Sequence, residues 1–235
     1  MNFDVVQIEA KTVKTDVLLI FVFANQKKLD DNCLDLDCQL NNEISNMLKN
    51  GEIDTDFGSM TIVHTLGYIE PRRVAVLGCG ELAKLDSKHF RNLLAQNFRK
   101  LSDIKTIETI SILSSPKVFE IFDDFAFGQL TSESALLGLY KFGKYKSVDN
   151  SQLLAVTKFI LIGFRNKDLI EQGINSGLII AESVNFARDM VNDPPNYMTP
   201  TKMALLAKEL ESFSDNLSVE ILDRQEMLDL GMGAL

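Results

Sequence analysis

Apolar positions in this chain fall into short continuous runs that alternate with stripes repeating every three to four residues. Residues 3–8 read as a first strand. Residues 16–23 (DVLLIFVF) are almost wholly apolar and rich in Val, Ile and Phe, as in a central strand buried on both faces. Two buried faces need two layers of cover, so this run already implies an α/β sandwich. Between residues 30 and 50, Leu40, Ile44, Met47 and Leu48 recur at helical spacing, and Asn50-Gly51 supplies a helix stop. Residues 60–66 (MTIVHTL) alternate like a strand, and residues 73–78 (RVAVLG) form a second buried one. Ser87 predicts the cap of a helix reaching residue 101, with Phe90, Leu93, Leu94, Phe98 and Leu101 facing inward. Residues 109–113 (TISIL) read as a strand. Residues 132–145 (SESALLGLYKFGKY) read as a helix capped by Ser132 or Thr131, and residues 157–163 (TKFILIG) as the next strand. This alternation predicts a parallel or mixed sheet with helices on both faces.

A long helix follows, over residues 168–192. Its stripe is Ile170, Ile174, Leu178, Ala181, Val184 and Val191, widened by Ile180 and Ala187. About 24 residues span roughly 36 Å, enough to join two domains. Gly173 and Gly177 share one face and predict a close backbone approach, at some cost in helix propensity. Asp193-Pro194-Pro195 ends the helix, because each proline pushes the residue before it towards extended geometry. Thr199 then precedes Pro200, a cap followed by proline at the first helical position. Met203, Leu206, Ala207 and Leu210 make the next apolar face. Residues 218–222 (SVEIL) read as a strand, and Asp223 with Glu226 as a capping box opening a short helix that stops at Gly231. The expected organisation is an N-terminal α/β domain over residues 1–166, a linking helix over 167–192, and the start of a second α/β domain over 193–235. An apolar end where a further strand is due marks that second domain as incomplete.

Composition narrows the function classes. The 235 residues are 46% hydrophobic and 24% charged, with a net charge of −9. That balance suits a globular protein. It works against general binding to a phosphate backbone, which depends on Lys and Arg, so a nucleic-acid partner is not expected. No apolar run reaches membrane-spanning length, and the first residues, MNFDVVQIEAK, lack the basic start and apolar core of a secretion signal. Cys33, Cys38 and Cys79 are an odd, unpaired set that suits reduced thiols in the cytoplasm.

Few motifs point to chemistry. Gly78-Cys79-Gly80-Glu81-Leu82-Ala83 follows a buried strand and fits the GxGxxG/A dinucleotide fingerprint. The helix, however, should open inside the motif and instead starts near Ser87. The next strand also ends in Leu113-Ser114-Ser115, with no acidic residue for a ribose. A strand-end turn built of small residues is the expectation. His64 and His89 lack a second ligand at i+3 or i+4. Asp35, Asp37 and Cys38, like Asp30-Asp31 and Asp123-Asp124, read as solvated charge. No GxSxG elbow is present, and Cys79, with nothing basic beside it, reads as a buried thiol. Lys141, Lys144 and Lys146 with Tyr140 and Tyr145 read as a helix end whose lysines face its negative pole.

The run Ala187-Arg188-Asp189-Met190-Val191-Asn192-Asp193-Pro194-Pro195-Asn196, followed by Thr199-Pro200, resembles the interdomain segment of the leucyl (cytosol) aminopeptidases. Residues 73–80 resemble that family's central N-domain strand, residues 136–147 (LLGLYKFGKYKS) its Tyr-x-Phe-x-x-Tyr-Lys helix end, and residues 230–235 (LGMGAL) the run opening its catalytic core. The resemblance implies a macro-domain-like three-layer α/β/α sandwich with a mixed sheet, a linking helix and the beginning of a peptidase domain. It also implies a hexameric, cytoplasmic metalloaminopeptidase that uses two divalent metals, zinc or manganese, to polarise the scissile carbonyl and activate a bridging water. The family's metal ligands and catalytic lysine and arginine lie beyond the LGMGAL run. No residue of this chain is therefore expected to be catalytic, metal-binding or cofactor-binding, and the chain is expected to be an inactive assembly or regulatory module. The alternative expectation is a macro-domain-type module binding an ADP-ribose-like nucleotide.

Overall fold

A computed structural model describes residues 1–145 and 156–233. The chain divides into two compact units, residues 1–185 and 186–235.

The first unit is built on a six-stranded mixed sheet. Its strands are β1 (Asn2–Val5), β2 (Val17–Val22), β3 (Met60–His64), β4 (Arg73–Gly78), β5 (Thr109–Leu113) and β6 (Lys158–Ile162), in the spatial order β1-β6-β5-β2-β4-β3. All neighbours are parallel except the edge pair β3 and β4, where His64 lies opposite Arg73. The central strand β2 shows why its sequence is uninterrupted in apolar character. Val17, Leu19 and Phe21 enter one core with Phe90, Phe98, Phe127 and Ile170. Leu18, Ile20 and Val22 enter a second core with Cys33, Leu36, Ile44 and Leu48. Successive strand residues point to opposite faces, so a strand covered on both sides has no polar positions to spare. The three-layer sandwich expected from the sequence is present.

One outer layer consists of α1 (Asp31–Gln39) and α2 (Glu43–Asn50), the second of which ends at Gly51 in the left-handed region. The other consists of α3 (Ser87–Ser102), α4 (Asp124–Gly138) and the first half of α5 (Lys167–Asn192). Asp86, one residue before the expected Ser87, caps α3 by accepting the N–H of His89. The helix expected over 132–145 starts eight residues earlier, capped by Asp123, and stops at Gly138. The reason for the miss is that Phe127, Leu130, Thr131, Ser132, Ser134 and Ala135 are all buried. A helix enclosed on most of its circumference carries no amphipathic stripe to read.

The paired glycines of α5 do what their spacing predicts. A Cβ on Gly173 would sit 2.0 Å from the Phe125 carbonyl oxygen, and one on Gly177 2.1 Å from Ser132 Oγ. Across the contact, a Cβ on Gly128 of α4 would lie 2.4 Å from the Ile170 carbonyl oxygen. The two backbones are in direct contact, and Ser132 Oγ donates to the Ile174 carbonyl across the crossing.

The second unit holds the end of α5, then α6 (Pro200–Glu209) and α7 (Arg224–Asp229). Thr199 caps α6 with Pro200 in its first turn, and Asp223 and Glu226 form the expected capping box on α7. The strand expected at 218–222 does not form. No described strand lies beside it to complete a ladder; instead Glu211 Oε1 accepts the Val219 N–H at 2.7 Å. Ala181 is the last buried residue: none from 182 to 233 is buried.

Candidate functional site

In a parallel sheet the strand ends where the chain runs out into loops are the usual place for a site. Here β4 ends in the Gly78-Cys79-Gly80 turn. Its amides are already occupied. Gly78 N donates to Ser59 O, Cys79 N to Val22 O at 2.8 Å and Gly80 N to Thr55 O at 3.0 Å, while Gly80 O accepts from Ala24 N. A Cβ on Gly78 would fall 2.1 Å from Ser59 Oγ, and Gly80 has φ +67 against Phe57. The glycines therefore seat the 55–59 loop on the strand end. A short 3-10 turn at Leu82–Lys84 separates them from α3, so no helix N-terminus faces the turn. Cys79 is buried, and burial pushes its thiol up to about 12. A thiol at that value is not a nucleophile at neutral pH.

Beside it, the ends of β5 and β6 frame a cavity of about 300 Å³ lined by Asn32, Ser114, Pro116, Phe119, Gly163 and Arg165. The sequence alone does not single out these residues, because they come from three separate segments. The Arg165 guanidinium stacks 4.3 Å from the centre of the Phe119 ring. Asp124, buried, accepts the Arg165 N–H at 2.9 Å and lies 3.6 Å from its Nε. Asp30 accepts from Ser115 Oγ at 2.5 Å and sits 3.5 Å from Lys117 Nζ. Asn32 Nδ2 donates to Ser114 O at 2.6 Å. Each cation bordering the cavity thus has a carboxylate partner, and most of the polar groups satisfy one another. Such a lining has little charge left for a phosphate. Together with the occupied amides of the glycine turn, it does not favour the nucleotide-binding reading.

The same geometry corrects the reading of Asp30, Asp124 and Asp37 as solvated charge. Asp30 and Asp124 tie loops at the strand ends. Asp37 is buried at the end of α1, where its two oxygens accept the N–H groups of Ile44 (2.9 Å) and Ser45 (3.2 Å). It caps α2 from outside the helix, a role that Asn42, in the left-handed region with no side-chain cap, leaves open. Asp35 pairs with Lys11 at 2.6 Å, and Cys38 is exposed.

The histidines do not converge. His64 is exposed on the sheet edge; His89 Nδ1 lies 2.8 Å from Asp86 Oδ1 and its ring meets Phe57 edge-on at 5.7 Å. The Asp86 carboxyl is held below its usual range, first by the His89 backbone N–H. Among the described residues no group of three or more His, Cys, Asp or Glu side chains could hold a metal ion. Among those residues the donor set does not fit a two-metal centre. Lys144 stacks on the Tyr145 ring at 5.4 Å; Lys146 lies outside the described residues, as do Ser147, Ala234 and Leu235 of the runs used for the family resemblance. No described helix is long and apolar enough to cross a membrane.

A mixed sheet between two helical layers, followed by a long helix that ends at Asn-Asp-Pro-Pro-Asn, defines the class: a three-layer α/β domain that continues into a second unit. The cytosol aminopeptidase family N-terminal domain matches residues 19–149, and the catalytic domain of the same family matches residues 185–235. The chain belongs to the cytosol aminopeptidase family. It is 31% identical to a probable cytosol aminopeptidase of Alkaliphilus metalliredigens (strain QYMF) over 99% of this chain and 47% of that relative. It is 30% identical to one from Sulfurihydrogenibium sp. (strain YO3AOP1) over 94% and 43%. The fold is shared with a mutant of tomato leucine aminopeptidase (TM-score 0.81, 19% identity, all of this chain and 46% of that one). It is also shared with the bottromycin maturation enzyme BotP (TM-score 0.64, 17% identity, 93% and 41%). The chain spans about half the length of the curated relatives it matches.

Proposed function

We propose that these residues are the N-terminal portion of a metal-dependent leucyl aminopeptidase and act as its folding and assembly module. In this reading residues 1–166 are the N-terminal domain, 167–192 the linking helix and 193–235 the start of the peptidase domain. The observation that carries it is the tandem match, N-terminal domain then catalytic domain, over about half of each curated relative. The parent reaction is hydrolysis of N-terminal residues from peptides in the cytoplasm by a homo-oligomer, a hexamer, with two divalent metals, zinc or manganese. In this reading hydrolysis belongs to the rest of the enzyme, and this chain alone is inactive. The test is hydrolysis of a leucine anilide by the purified chain with added manganese or zinc. The expected result is no turnover above buffer; robust turnover that follows the chain through purification overturns the inactivity.

A further inference from the structure

Both edges of the sheet, β1 on one side and β3 on the other, carry backbone groups that no described strand answers. The two edges are unlike. β1 carries Asp4, paired with Lys158 at 2.7 Å, and a charge on an edge strand discourages further pairing. β3 lies within residues 57–69, which hold no Asp, Glu, Lys, Arg or Pro. Large apolar side chains stand in water at both its ends, Phe57 before it and Leu66 (85% exposed) and Tyr68 (63%) after it. Leu66 and Gly67 both have φ in the left-handed region, in a turn closed by Tyr68 N–H donating to Thr65 O at 3.0 Å. Glycine suits that region and leucine does not. Leu66 is thus held against its backbone preference and gains little burial from it.

The ladder identifies what fits this edge. Ser59 O accepts the Gly78 N–H, and Thr65 N–H donates to Arg72 O. In the β3–β4 register, Ser59, Thr61, Val63 and Thr65 therefore bond to β4, while Met60, Ile62 and His64 turn their N–H and C=O groups outward. Those three positions are symmetric about Ile62. A second copy laid antiparallel on the edge pairs Ile62 with Ile62 and Met60 with His64, each pair exchanging two bonds across a two-fold axis. The same register sets the Phe57 end of one copy beside the 66–68 turn of the other, so the exposed apolar ends cover each other. No like charges, which would oppose the pairing, face one another. We propose that β3 is a strand-addition interface for a second copy of this chain, joining two six-stranded sheets into one across Ile62. The inference goes beyond the function proposed above and stands on the geometry of this edge alone.

The test is sedimentation of the 235-residue chain between about 1 and 100 µM, with residue-resolved amide exchange at both ends of that range. The mass is expected to rise from one chain to two and no further, because a two-fold pairing closes on itself. At high concentration the Met60, Ile62 and His64 amides are expected to exchange about tenfold more slowly or better, while Thr61 and Val63, already bonded to β4, change less. His64→Pro removes one outward N–H at an exposed residue and spares the β4 ladder. Leu66→Lys puts a charge on the exposed turn. Each is expected to weaken dimerisation by about tenfold or more with the protection of β2 unchanged; Leu66→Lys, in solvent, carries the test alone if the proline disturbs the sheet. A chain that stays monomeric up to about 100 µM overturns the proposal. So does a dimer that ignores both variants or leaves the Met60, Ile62 and His64 amides fast, which places the contact elsewhere. Growth past two chains overturns it as well, because the pairing is then not two-fold.

Discussion

Gly173 and Gly177 are the residues on which the α4–α5 crossing turns. Neither has a positive φ; what matters is the missing side chain, since a methyl at Gly173 would overlap the Phe125 carbonyl, which is backbone and cannot rotate away. Gly173→Ala should therefore cost about 3 kcal/mol despite its better helix propensity. Thermal unfolding should show this as a fall of roughly 5–10 °C. An unchanged midpoint would mean that the helices can separate freely. The cysteines make a second residue-scale test. Cys33 and Cys79 are buried, and burial, the first cause, with the nearby Asp30 charge, pushes both thiols up. Cys38 is exposed. A thiol-specific reagent at neutral pH should label one cysteine per folded chain and all three in denaturant.

At the scale of elements, helix ends are fixed by side chains that a local pattern does not reveal. Asp37→Ala would leave two N–H groups at the start of α2 without an acceptor, one of them buried. The expected loss is about 2–3 kcal/mol. Asp37→Asn keeps one acceptor oxygen and should lose less, which a denaturant titration of the pair distinguishes. In the second unit, Glu211 joins the end of α6 to residue 219. It accepts from Lys208 Nζ at 2.9 Å as well as from Val219 N–H. The Val219 N–H first, then the Lys208 hydrogen bond, hold its carboxyl below the usual glutamate range. Folding therefore favours the charged form. The contribution is complete above the ordinary glutamate pKa and is lost as pH falls through the depressed one. The protection of the Val219 amide, measured against its intrinsic exchange rate at each pH, should fall on acidification below about pH 4, and Glu211→Gln should remove that dependence.

At the scale of the whole molecule, buried side chains among the described residues are confined to those up to Ala181. Residues 1–185 alone should then unfold within about 2 °C of the full chain, because the second unit adds no core of its own. A large fall in the midpoint on truncation would show that the second unit carries stability despite its exposed surface.

The strands, the α3 stripe, the α5 glycine approach and the caps at Thr199 and Asp223 were legible because each rests on neighbours within one or two turns. The α/β class followed from β2 alone, since a six-residue apolar strand has no polar face to turn to water. The family, too, was carried by contiguous runs such as Asn-Asp-Pro-Pro-Asn. Only the tertiary structure decided the rest. The start of α4 was hidden because a helix enclosed between neighbours has no stripe. The strand at 218–222 failed for lack of a partner, as a ladder is a property of two segments. The roles of Asp37, Asp124 and Arg165 depend on groups 7 to 41 residues away. Local sequence set which elements form and where they end; long-range contact set which charges are buried and which apolar faces still await cover.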